Sequence, residues 1–317
     1  MKTCITAASA AALSIGLLTD MPAVADPFSF STGNPDGKLA ALSRRPSAGN
    51  IETETADDFV LTVPTVISRA VIHGLIPLGT PLSGITQVEI EVYHIFPKDS
   101  NTTRAITVPT RNNSPSDVEI DAATRDSSHK TLGFSATLES PSFTVANTVV
   151  NGIHPAPIQF TGGEGPATGE EVEIDITFTP PIFLPTEHYF FRPEAQVTGG
   201  NFLYLSAPDP IVPPGTPFMP DLQAWIRNSN LAPDWLRIGT DITHQGPFNM
   251  TYSLAGETIP GAGTPGIPNC RGTTVSAMAH QFGGIKQAAV TLGYSSVRVL
   301  QNSITAFCSN GGRNKRR

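Results

Sequence analysis

The sequence predicts a mainly β protein: an antiparallel β-sandwich of jelly-roll type, followed by a small α-helical module at the C-terminus. Three observations lead there. Between Glu52 and Ala255 apolar and polar residues alternate with period two in segment after segment, the pattern of strands with one buried and one wet face. Gly 28 and Pro 29 in 317 residues interrupt the chain too often for long helices and supply the turns of a many-stranded fold. After Gly256 the spacing of apolar residues becomes helical, and a cysteine stands at each end of that stretch.

Residues 1–25 read as a secretory signal. Met1-Lys2-Thr3 is a short positive start, Ile5 to Leu18 is apolar, and Ala23-Val24-Ala25 supplies small residues for cleavage before Asp26. A membrane span needs about 20 apolar residues, and Asp20 and Pro22 break this run. The expected location is secreted or periplasmic, with no transmembrane anchor, because no second hydrophobic segment follows. Cys4 then leaves with the signal, and Cys270 and Cys308 remain to form one disulfide in an oxidising compartment.

Residues 26–51, rich in Gly, Pro, Ser and Asn, read as an irregular lead-in. The β-sandwich domain is expected over 52–255. In it Val88, Ile90 and Val92 alternate with Glu89 and Glu91, and Val172, Ile174, Ile176 and Phe178 alternate with Glu171, Glu173, Asp175 and Thr177. Further strands are expected at 57–62, 66–75, 132–138, 142–149, 188–197, 202–206, 222–227 and 248–254. Residues 256–269 form a Gly/Pro linker that should be extended. The helical module spans 270–309. Val275, Ala279 and Phe282 precede Gly283-Gly284, Ile285, Ala288, Ala289 and Leu292 precede Gly293, and Ser295 or Ser296 caps a third helix. Three helices in about 40 residues make a marginal core, so the disulfide is assigned a structural role. The tail, 310–317, is basic.

The formal net charge is -7, and four of the positive charges lie in the tail, leaving 16 basic against 27 acidic residues in the rest. Nucleic acid is therefore excluded as an expected partner. The chain contains no G-x-S-x-G, H-E-x-x-H, Walker or dinucleotide-binding glycine pattern, so no catalytic residue is assigned. Asp117, Glu119 and Asp121 alternate so that their carboxylates point one way, which makes them candidate calcium ligands. The competing reading is the solvated face of a strand. Trp225 and Trp235 flank Arg227, Asn228 and Asn230. Rings beside amides and charges can stack on a sugar and hold its hydroxyls, while the competing reading places at least one tryptophan in the core.

Glu54-Thr55-Ala56-Asp57-Asp58-Phe59, leading into TVISRAVIHGLIP, resembles the opening of β-sandwich domains in uncharacterised bacterial secreted proteins. The stretch Cys270 to Cys308, with its F-G-G-I and L-G-Y-S-S turns, is similar to short helical ends of exported bacterial proteins. Some members carry a sorting tail with a membrane helix and arginines; here RNKRR has no such helix before it. The resemblance implies fold and export and carries over no catalytic residue. The function expected from all this is an exported, non-catalytic binding module for carbohydrate or a cell-surface component. The alternatives are a polysaccharide hydrolase or lyase using paired carboxylates, and a structural envelope or matrix protein. Apart from calcium, no cofactor is expected.

Overall fold

The computed structural model describes residues 27–47, 49–96, 108–151, 153, 161–208 and 223–310. The expected signal and residues 311–317 of the tail lie outside them. In chain order the first strands are β1 (Pro27–Ser31), β2 (Leu39–Leu42), β3 (Thr53–Val60), β4 (Thr65–Ile76), β5 (Ile85–Phe96), β6 (Ser114–Glu119), β7 (Arg125–Asp126) and β8 (Leu132–Val145). After them come β9 (Asn147–Val149), β10 (Ala167–Leu184), β11 (His188–Val197), β12 (Leu203–Ala207), β13 (Trp225–Asn228), β14 (Leu236–Arg237), β15 (Asn249–Met250) and β16 (Tyr252–Thr258). Three helices close the chain: α1 (Cys270–Phe282), α2 (Ile285–Thr291) and α3 (Val297–Asn310).

The strands make two sheets. The first follows the order β1-β16-β4-β12-β2-β9, with β10 and then β8 added beside β4 and β15 beside β12. The second follows β14-β13-β3-β11-β5-β6, with β7 beside β5. Every pairing is antiparallel except β2 with β9. One continuous core takes side chains from both sheets, among them Ile72, Ile174 and Ile176 from the first and Phe59, Val88, Ile90 and Phe191 from the second. In β10 the alternation works as expected: Val172, Ile174, Ile176 and Phe178 are buried, while Glu171, Glu173 and Asp175 on the other face reach solvent.

The lead-in is more ordered than expected. β1 pairs with β16, and β2 sits between β12 and β9 with all four residues buried. Leu39 and Ala41 belong to the main core, and Ala40 packs on the opposite face against Leu75, Val145 and Leu205. A strand covered on both faces has no polar alternate positions, so the period-two signal that marks the others is missing from Leu39–Leu42. β8 and β9 are separated by Ala146 alone, yet β8 pairs with β10 and β9 with β2. The strand path of the first sheet thus returns to its start at this end, held by the Ala146 amide donating to Gly37 O at 2.9 Å.

The helices stop as the glycines predict, with Gly283 at φ 74° and Gly293 at φ 80°. Ser296 Oγ accepts the Val299 amide at 3.3 Å and so caps α3. Cys270, opening α1, is bonded to Cys308 in the last turns of α3, with Cα atoms 5.8 Å apart. The module is docked and not an appendage. Met278, Leu292, Leu300, Ile304 and Phe307 share a cluster with Val66 of β4 and Phe183 of β10. The rings of Phe183 and Phe307 stack with centroids 4.0 Å apart, and burying a phenylalanine of this kind contributes roughly 2–3 kcal/mol. The expected extended linker is shorter than its composition suggests. β16 runs through Thr258, Ile259 is buried, and the Gly263 amide donates to Thr274 Oγ1 at 3.0 Å.

Candidate functional site

The A-D-D-F motif lies inside β3, where period two sends its carboxylates to opposite faces. Asp57 points between the sheets and accepts the Met250 amide at 2.9 Å, and burial, followed by the nearby Asp58, raises its pKa well above the ordinary carboxylate value. Asp58 points outward, accepts the Gln223 amide at 3.1 Å and is bonded to His188. Both aspartates are buried, so each joins distant segments of the chain and neither serves as a solvated strand face.

The outward face of the second sheet is the larger departure from expectation. The register sets Ala56 beside Trp225, Glu54 beside Arg227, Phe190 beside Tyr93 and Arg192 beside Glu91. These residues alternate with core residues and should have been wet. Instead, Trp225 and Trp235 are 0% and 1% exposed and pack with Ala56, Tyr93 and Phe190. Beside this apolar cluster is a network of charges. Arg192 reaches Glu91 at 2.6 Å, Glu194 at 2.7 Å and Glu54 at 3.0 Å. Arg227 donates to Glu54 Oε1 and to the Tyr93 hydroxyl, both at 3.0 Å, and lies 4.3 Å above the Trp235 ring. The Tyr93 proton is shared between Glu54, at 2.9 Å, and Glu91.

The sugar-stacking assignment is therefore corrected. Neither indole face is open, and Arg227 is occupied by Glu54, Tyr93 and Trp235. Asn228 is a turn former whose Oδ1 accepts the amides of Asn230 at 3.1 Å and Leu231 at 3.0 Å. Of the five residues only Asn230 is exposed. The physical reason is the sheet register: Trp225 and Arg227 are two residues apart, so both fall on the face that the turn bearing Trp235 covers.

The three candidate calcium ligands also end up apart in role. Asp117 and Glu119 lie in β6, but the strand stops there and Asp121 opens a 3-10 turn, so the alternation does not continue. Asp117 is ion-paired with Arg111, whose guanidinium also reaches Asp234 at 3.0 Å. Among the described residues no three His, Cys, Asp or Glu side chains gather as a metal site.

Glu194 carries a testable consequence. It is fully buried, and burial pushes its pKa up from the ordinary 4.5 to about 8, with Arg192 opposing and Glu54, Glu52 and Glu91 adding to the rise. The folded protein thus holds a proton that the unfolded chain releases above about pH 4.5. The resulting stability is complete below that pH and is lost as pH rises towards about 8. Urea unfolding of the wild type and of Glu194→Gln across this range should give a ΔΔG that changes with pH in that direction. A pH-independent difference would show that Glu194 does not titrate there.

A second arrangement is open and concave. Asp36, Lys38, Leu39, Ser206, Gln245, Pro247 and Phe248 line a cleft of about 320 Å3. The approach to β2 forms one side: the Asp36 amide donates to Ser206 O, and Asp36 Oδ1 accepts the Lys38 amide at 3.0 Å and the Ser206 hydroxyl at 2.6 Å. Ser206 Oγ in turn accepts the Leu39 amide at 2.9 Å. Asp36 Oδ2 has no hydrogen bond, and the Lys38 ammonium stands 3.6 Å from it. Gln245 comes from the turn after His244, which has φ 59°. The Asp36 carboxylate, whose Oδ2 is buried, and the Lys38 ammonium thus stand, with Gln245, beside an apolar wall of Leu39, Pro247 and Phe248. Nothing in the sequence marks this set: its members come from the lead-in, the end of β12 and a turn before β15, and none belongs to a motif.

No known protein family, no curated protein and no solved structure matches this chain.

Proposed function

We propose that the protein is an exported, non-catalytic binding module on a β-sandwich of jelly-roll type, and that its ligand is a carbohydrate held in the cleft by the exposed Lys38 and Gln245, beside Asp36. The grouping of Asp36, Lys38 and Gln245 beside Phe248, in about 320 Å3, carries this reading. Carboxylates accept from sugar hydroxyls, ammoniums donate to them, and amides do both. At about 320 Å3 the cleft falls at the small end of the range for small-ligand sites, which combine an apolar wall with a few polar groups. The Cys270–Cys308 bond supports export, since disulfides persist in oxidising compartments. Among the described residues no helix is long and apolar enough to cross a membrane. Two carboxylates meet elsewhere, Glu54 and Glu91, but both are ion-paired with the buried Arg192.

Glycan-array binding of the exported protein, followed by calorimetry on the best hit, tests the reading. Lys38 and Gln245 are exposed, so Lys38→Ala and Gln245→Ala should leave the fold intact. Each is expected to weaken binding about tenfold, the loss of one hydrogen bond of roughly 1.4 kcal/mol. Unchanged affinity in both variants, or no glycan bound, would overturn it.

A further inference from the structure

The edges of the two sheets are treated very unequally. β1, with 5 residues and Pro27 at its start, β9 with 3, β6 with 6 and β14 with 2 are all short. Short edges and prolines are the ordinary defence against edge-to-edge pairing. β8 has 14 residues and, among the described residues, pairs along one side only, with β10. Its register with β10 is regular from Leu132↔Phe178 to Leu138↔Val172, and irregular only from Ser140 onward. The regular part, Leu132-Gly133-Phe134-Ser135-Ala136-Thr137-Leu138, contains neither a charge nor a proline. Its outer backbone groups form a row of donors and acceptors that another strand can complete.

We infer that this edge pairs antiparallel with the same edge of a second copy of the chain, joining two first sheets across a two-fold axis. The side chains indicate the register. Residues opposite each other in an antiparallel pair point to the same face, so a two-fold normal to the sheet can set only residues of equal parity opposite one another. Centring the axis on Ser135 places Ser135 opposite Ser135, Gly133 opposite Thr137, Phe134 opposite Ala136 and Leu132 opposite Leu138. Leu138 is 43% exposed at the rim of the core, and in this register it is covered by Leu132 of the other copy. Glu139 faces Thr131, so no like charges meet. Seven paired residues span roughly 24 Å of edge, a smaller contact than the roughly 800 Å2 per partner of a stable complex. The dimer is therefore concentration-dependent. A two-fold contact of this kind is closed and does not propagate into fibres.

Sedimentation of the exported protein from about 1 μM to about 1 mM, without added glycan, should show a monomer–dimer equilibrium. Ser135 is exposed, so Ser135→Lys keeps the monomer folded, as circular dichroism can verify, while setting two ammoniums opposite each other on the axis. At least a tenfold loss of dimerisation is expected. Ser135→Cys should form a covalent dimer under mild oxidation, because directly opposite residues have Cα atoms about 4.5–5.5 Å apart, within the Cα range of a disulfide. Ser29→Cys on the short β1 edge should not. A monomer throughout the range, a Ser135→Lys variant that associates like wild type, or equal cross-linking at the two positions would overturn the inference. None of these results depends on whether the cleft binds a glycan.

Discussion

Replacing Arg192 with Met is expected to destabilise the protein by about 3–5 kcal/mol, seen as a lower urea midpoint with an unchanged slope. Arg192 is 2% exposed and holds Glu54, Glu91 and Glu194 within 3.0 Å. A buried ion pair has a modest net value, because desolvation offsets most of the Coulomb attraction. Removing one partner is costly, since the charges left behind have neither water nor a counterion. Arg227 reaches Glu54 but not Glu194, so it cannot compensate. Adding Glu91→Gln to the Met variant removes one stranded carboxylate and should recover part of the loss. A loss under about 1 kcal/mol would mean that water enters this face.

Replacing both Cys270 and Cys308 with Ser is expected to cost about 3–4 kcal/mol, from a closed loop of 38 residues on the chain-entropy model. The docking of Phe307 on Phe183 and the Gln281 amide donating to Thr258 O at 2.9 Å remain in the variant. The module should therefore stay folded in native conditions but open more readily than the sheets. Hydrogen exchange should accelerate in α1 and α3 while β10 keeps its protection. Equal acceleration in sheets and helices would mean that module and sheets unfold as one unit.

Much of the fold was legible because it rests on local periodicity. β11 occupies His188–Val197 as the pattern predicts, the inward residues of β10 are those the alternation marks, and the first two helices end at the expected glycines. The candidate site was not legible. Trp225 and Trp235 looked like a binding surface because an indole beside Arg and Asn reads the same in a sequence whether its face is open or covered. Glu89 and Glu91 read as a wet strand face for the same reason, and the structure buries them to 12% side-chain exposure beside Arg45 and Arg192.

What the sequence determined by itself, then, is the class of the protein: antiparallel strands, a helical module at the C-terminus, and two cysteines at the ends of that module. Those properties depend on neighbours within a turn or a strand, and neighbours are visible in a string of residues. Only the tertiary structure decided which polar residues are buried, that β2 is covered on both faces, that the module docks on β4 and β10, and that Asp36, Lys38, Ser206 and Gln245 converge. Each of these depends on contacts between segments far apart in the chain, such as the 170 residues between Asp36 and Ser206. No periodicity encodes such a contact, because it follows from strand order and register.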